Sequence, residues 1–160
     1  MQLENMLMLG DPGLHQVSEK ITRAELSEVE KWSSGLISII LQVRSKYRFG
    51  RAVAAPQMGI FKRLVCLYID EPITMINPEL SNLSDEMIDL WDDCMCFPNL
   101  LVRVKRHKRC TLKFHDLDWN QHTWELEDDM SELLQHEVDH LDGILATQKA
   151  VGERSLKWRS

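Results

Sequence analysis

No run of apolar residues in this chain approaches the ~20 needed to cross a bilayer, so a membrane protein is not expected. The opening Met1-Gln-Leu-Glu-Asn5 carries an acidic residue and no basic one, and its apolar stretch is too short for a secretory leader. Positive charge is in deficit: 19 Lys and Arg stand against 25 Asp and Glu, a net charge of -6. That argues against a generally basic nucleic-acid surface, and no nucleic-acid partner is expected. Cysteine is sparse, at four residues in 160, and the expected compartment is the cytoplasm, where disulfides do not persist. Internal repeats, low-complexity tracts and linkers are missing too. With 44% hydrophobic content, the expectation is one domain spanning residues 1–160.

What is present reads as an α+β fold. Thr22-Arg-Ala-Glu25 has the spacing of a capping box. Leu26, Val29, Trp32, Leu36, Ile39, Ile40 and Val43 follow at three- to four-residue intervals, which predicts an N-terminal amphipathic helix over about 23–46. Strand-like runs come next: 63–69, 73–76 closed by Asn77-Pro78, 87–91, 100–104, 110–114 and 123–126. The basic stretch at Arg103, Lys105, Arg106, His107, Lys108 and Arg109 reads as the wet face and end of a strand. A last helix is predicted from about Asp128 to Leu141, acidic at its start and stopped by Gly143. The architecture expected is mostly antiparallel strands wrapped around this central C-terminal helix. Residues 151–160 are polar and are expected to be partly ordered.

The chemistry concentrates on Gln135-His-Glu-Val-Asp-His140. Residues four apart stack on one helix face, so His136 and His140 can offer imidazole nitrogens to one ion. Glu137 follows the first histidine and can reach the ion's water without ligating it. This is the His-Glu-x-x-His pattern of metal-dependent hydrolases. A catalytic site needs a third protein ligand and an open position. Cys66 and Cys110 lie in apolar strand runs, whereas Cys94 and Cys96 lie in the junction Asp92-Asp-Cys-Met-Cys-Phe-Pro98. A thiolate with two imidazoles suits zinc or ferrous iron. Composition leaves the choice between Cys94 and Cys96 open.

The chain resembles the peptide deformylases. His136-Glu-Val-Asp-His140 is similar to their third motif, and Gly50-Arg-Ala-Val-Ala-Ala-Pro-Gln57 to their first, Gly-x-Gly-apolar-Ala-Ala-Pro-Gln. Asp92-Asp-Cys-Met-Cys-Phe-Pro98 is similar to the second, Glu-Gly-Cys-Leu-Ser followed by an apolar residue and Pro. Leu9-Gly-Asp-Pro-Gly-Leu14 and Met75-Ile-Asn-Pro-Glu79 match further stretches, in the family's order. The resemblance implies Cys94 as the third ligand and Cys96 as a packed thiol at a serine position. It also implies ferrous iron as the ion, with nickel, cobalt or zinc as substitutes. In the implied reaction an activated water attacks the carbon of an N-formyl amide. Glu137 carries the proton to the departing amine, and the Gln57 amide and Met95 N–H stabilise the oxyanion. The implied substrate is the formylated N-terminus of a nascent polypeptide, with transient ribosome contact; oligomeric state is left open.

Departures from the family pattern cluster beside the groove. Arg51 stands at an apolar position and Ala52 at a glycine; Asp92 replaces Glu, Asp93 replaces Gly, and Leu101 falls where an Arg is common. Arg106 matches a family Arg. It is expected either to pair with Asp92 or Asp139 or to be a solvated strand-end charge. Gly50, Arg51 and Ala52 are the expected substrate-binding residues. A guanidinium at Arg51 would suit a carboxylate, which raises a second substrate reading, short or free N-formyl amino acids. A third reading is a non-catalytic, metal-stabilised binding module, for which Glu137 and Gln57 would be superfluous.

Overall fold

The computed structural model describes residues 1–160. Chain order is α1 (Leu26–Tyr47), β1 (Ala52–Ala54), β2 (Leu64–Tyr68), β3 (Pro72–Ser81), β4 (Met87–Asp92), β5 (Leu100–His107), β6 (Arg109–His115), β7 (Gln121–Glu127), α2 (Asp128–Leu141) and β8 (Leu156–Trp158). Five strands form one sheet in the order β1-β2-β3-β6-β7, and three form a second, β4-β5-β8. Pairing within both sheets is antiparallel. The helix α2 packs on strands of both sheets, as the α+β reading expects.

Strand periodicity divides the core. Alternate residues of a strand face opposite sides. Val53, Leu64, Cys66 and Ile76 join Val29, Leu36, Ile39, Ile40 and Val43 of α1 in one cluster. Ala52, Ala54, Val65, Leu67 and Met75 join Leu133, Leu134 and Leu141 of α2 in the other. The β1–β2 edge is therefore buried on both faces, which is why Leu64-Val-Cys-Leu67 reads as an unbroken apolar run.

The N-terminal helix opens as expected, with one refinement. Residues Arg23–Glu25 form a tight 3-10 turn before α1 begins. The Glu25 carboxylate accepts the Thr22 N–H at 2.8 Å, satisfying a donor that a helix start leaves orphaned.

Two strand expectations need correction. β3 does not end at Asn77-Pro78 but runs on to Ser81. Asn77 adopts a left-handed φ of 51° and the register shifts there, so the strand absorbs the missing proline N–H in a bulge. The Asn77 amide pins the preceding chain, donating to Ile21 O and accepting from Ile21 N–H, both at 2.8 Å. The last residues are not loosely held either: β8 pairs Leu156, Lys157 and Trp158 with Val102, Leu101 and Leu100.

The helix α2 is fixed at its middle and at its C-terminal end. Near its middle the Gln135 amide accepts the His107 N–H at 3.0 Å and donates to His107 O at 2.8 Å, mimicking a strand partner at the end of β5. At its C-terminus Leu141 O accepts Ser18 N–H at 2.9 Å and Arg63 reaches Asp142 at 2.8 Å. Gly143 closes the helix with φ +72°, tight against the backbone of His15.

Candidate metal centre

His136 and His140 lie one turn apart on the buried face of α2. Their Nε2 atoms are 3.2 Å apart, and the Cys94 Sγ is 3.4 Å from His140 Nε2. The three side chains are buried, and their ligating atoms all fall within 4.8 Å of one another. Cys94 is carried in by the turn after β4, closed by Phe97 N–H donating to Cys94 O at 3.1 Å. Three soft or borderline donors converging in a buried space make a fit for a single divalent cation. Glu137 adds to it, since its Oε2 is buried without a hydrogen-bond partner. An unpaired buried carboxylate oxygen is costly, and an acidic water on a bound cation would supply its missing donor.

A carboxylate holds the assembly from behind. The inward residues of β4 are Ile88, Leu90 and Asp92 by strand alternation. Asp92 Oδ2 accepts from His136 Nδ1 at 2.9 Å and from Arg106 Nη2 at 2.8 Å. Because an ionised carboxylate only accepts, His136 must carry its proton on Nδ1, which leaves Nε2 facing Cys94 and His140. Arg106 is 1% exposed and also reaches Asp139 at 2.8 Å. The wet-face reading of this basic stretch is thus wrong for Arg106 alone: it shares the inward face of β5 with Val102 and Val104. The pairing alternative holds, with both carboxylates engaged.

Burial and charge oppose each other in the cluster. Burial works against the Asp92 carboxylate, yet the neighbouring His136 and Arg106 charges hold it well below the usual range. Burial likewise disfavours the His136 cation, but Asp92 outweighs it and lifts the ring to about 9. His140 has no such partner, and burial followed by the His136 charge pushes it well down. Burial raises Glu137 to about 7, against the His136 charge. It also raises the Cys94 thiol well above its ordinary value.

Gln57 arrives on the tight turn after β1. Its Oε1 accepts the Ala54 N–H at 2.8 Å, so the amide is oriented and Nε2 faces the sulfurs, 3.3 Å from Cys96 and 3.7 Å from Cys94. The Met95 N–H donates to no protein group. One cleft joins Gln57, Cys94, Met95, His136 and Glu137 to Gly50, Arg51 and Ala52. Every residue expected at the site except His140 lines it, and His140 sits behind as the third member of the cluster.

The cleft also contains Glu132, which the sequence marks only as an acidic residue near the start of α2. Glu132, one turn before His136, is buried and accepts from Arg51 Nη2 at 2.8 Å. One arm of the Arg51 guanidinium is therefore already bonded to a carboxylate of the chain itself. Asp93 is held by Arg159 at 2.7 Å. The signal for Glu132 was its i−4 spacing from His136, which places it on the same helix face.

Residues 3–155 match the family model described as polypeptide deformylase. The chain is 34% identical over 146 residues to a peptide deformylase of Dictyoglomus thermophilum, covering 91% of each chain. The fold is similar to a crystal structure of peptide deformylase from Thermotoga maritima, with a TM-score of 0.83, 27% identity, and coverage of 92% of this chain and 97% of that one. It is equally similar to an actinonin-bound peptide deformylase from Acinetobacter baumannii, with a TM-score of 0.83, 25% identity, and the same coverage.

Proposed function

The chain belongs to the polypeptide deformylase family, hydrolases that remove the formyl group from formylated peptide N-termini, and on that premise we propose how its own residues perform the reaction. Cys94, His136 and His140 hold one divalent ion. The thiolate-and-imidazole donor set supports iron(II) as the native ion, with zinc, nickel or cobalt as workable replacements. When bound, such an ion supplies Lewis acidity, which makes water a competent nucleophile near neutral pH.

The protein groups divide the remaining work. Glu137 Oε2, buried without a partner, takes the proton of the attacking water and gives it to the departing amine nitrogen. The Gln57 Nε2 and the Met95 N–H donate to the oxygen that gains charge as the formyl carbon becomes tetrahedral. Loss of one such preorganised donor costs about 10²–10³ in rate. The Asp92–Arg106–Asp139 chain holds the His136 ring in the tautomer that leaves Nε2 free. Gly50, Arg51 and Ala52 form the wall along which the substrate lies. The products are formate and a free N-terminus. Action in the cytoplasm on nascent chains, with passing ribosome contact, belongs to the same proposal.

The single observation that carries the assignment is the pairing of a converged thiol–imidazole triad with an orphaned Glu137 oxygen in one buried cluster. The reading with a free N-formyl amino acid draws less support, because Glu132 already bonds one arm of Arg51 and would repel a substrate carboxylate. A purely structural metal site would need neither Glu137 nor the oriented Gln57. The test is formate release from formyl-Met-Ala-Ser by protein purified without oxygen, with metal analysis alongside. One ion per chain is expected, with activity lost on chelation and restored by re-adding iron(II). Full activity in metal-free protein would overturn the proposal.

A further inference from the structure

The Arg51–Glu132 ion pair joins the residue before β1 to α2 in the lining of the cleft. Its placement follows from two facts. Glu132 precedes His136 by one helical turn, about 6 Å along α2. The first side chain of an N-formyl substrate branches two bonds from the formyl carbon. A formyl group reacting beside His136 and Glu137 therefore leaves that side chain within reach of Arg51 and Glu132, which line the same cleft.

That wall is charged and incompletely paired. Glu132 is 8% exposed, yet only its Oε1 is engaged; Oε2 makes no hydrogen bond. Arg51 donates through Nη2 alone. Its Nη1 lies 3.8 Å from Asp129, whose carboxylate is 90% exposed and contributes little. The wall thus offers one open acceptor and spare guanidinium donors side by side. An apolar side chain laid over them would strip water from both charges and return nothing. A side chain carrying a donor and an acceptor together would satisfy both. Clamping β1 to α2 does not require these charges, since a packed apolar pair of similar size would serve as well.

We infer that Arg51 and Glu132 are specificity-determining residues that read the first side chain of the substrate and favour a carboxamide over an apolar chain of the same length. The inference rests on the deformylase reading of the site and extends its substrate class from formyl-methionine to formyl amides with a hydrogen-bonding first residue. Glutamine is the natural probe, because it matches methionine in length.

The test compares kcat/KM for formyl-Gln-Ala-Ser and formyl-norleucine-Ala-Ser in the metal-loaded protein. The glutamine peptide is expected to be favoured by about 10- to 100-fold, the size of a hydrogen bond to a charged group. The double substitution Arg51→Leu with Glu132→Leu, which strands no lone charge, is expected to reverse the order. Preference for norleucine, or equal rates, in the unaltered protein overturns the inference without any variant. A preference for glutamine that survives the double substitution overturns it as well. Formate from neither peptide, nor from formyl-Met-Ala-Ser, would overturn the deformylase reading and this inference with it; formate from all three with norleucine favoured overturns the inference alone.

Discussion

Asp92 accepts the Nδ1 proton of His136 across 2.9 Å, through the same oxygen that receives Arg106 Nη2 at 2.8 Å. One carboxylate therefore sets the tautomer of a proposed ligand and neutralises a guanidinium that is 1% exposed. The resemblance puts a glutamate at this position, and in this chain the shorter aspartate makes both contacts.

The substitution Asp92→Asn separates these two duties from the rest of the site. It leaves Arg106 with Asp139 as its remaining anionic partner. Breaking a buried pair from one side costs about 3 kcal/mol or more, readable in urea unfolding. Loss of the carboxylate behind a ligand histidine weakens metal binding about 10- to 100-fold, readable by competition with a chelator. Unchanged metal affinity would show that His136 does not need this carboxylate for its orientation.

Cys66 gives an alkaline limb to stability. Burial raises its thiol from 9.0 to about 11, with Ser33 partly opposing. The folded state thus holds the proton more tightly than the unfolded chain. Its contribution is complete below pH 9 and is lost as pH rises toward 11, a swing of about 3 kcal/mol. Cys66→Val cannot titrate, so its unfolding free energy should fall less steeply than that of the unaltered protein across this window. Identical slopes would contradict the assignment.

Gly143 joins the end of α2 to the N-terminal segment. A Cβ there would lie 2.4 Å from the His15 carbonyl oxygen, on a backbone with φ +72°. Neither the conformation nor the backbone contact tolerates alanine, so Gly143→Ala should destabilise by about 2 kcal/mol or more. A urea midpoint within error of the parent would show that the two segments separate freely.

The sequence made some of this legible and hid the rest for physical reasons. Both helices were readable because their apolar residues repeat at 3–4 positions, and His136, Glu137 and His140 fell on one helix with spacing that only a helix gives. Cys94 was separable from Cys96 by resemblance and not by chemistry, since both thiols are buried near Gln57. Arg106 stood between two readings: pairing with Asp92 or Asp139 was one of them, but its charge argued equally for a solvated strand end, and only the fold shows both carboxylates meeting it. Glu132 was read as a favourable acidic residue near a helix N-terminus, a sound local argument, and its partner 81 residues away was invisible. β8 carries Leu156 and Trp158 as exposed residues, so no half-buried alternation marked it.

The proton-carrying role of Glu137 is the centre of the account, and Glu137→Gln tests it most directly. The amide keeps the shape and leaves Cys94, His136 and His140 untouched. Formate release from formyl-Met-Ala-Ser should fall by at least about 10²-fold, the contribution of a positioned proton-transfer group. Metal content and the unfolding midpoint should match the parent. Parent-like formate release with the metal still in place would contradict the account.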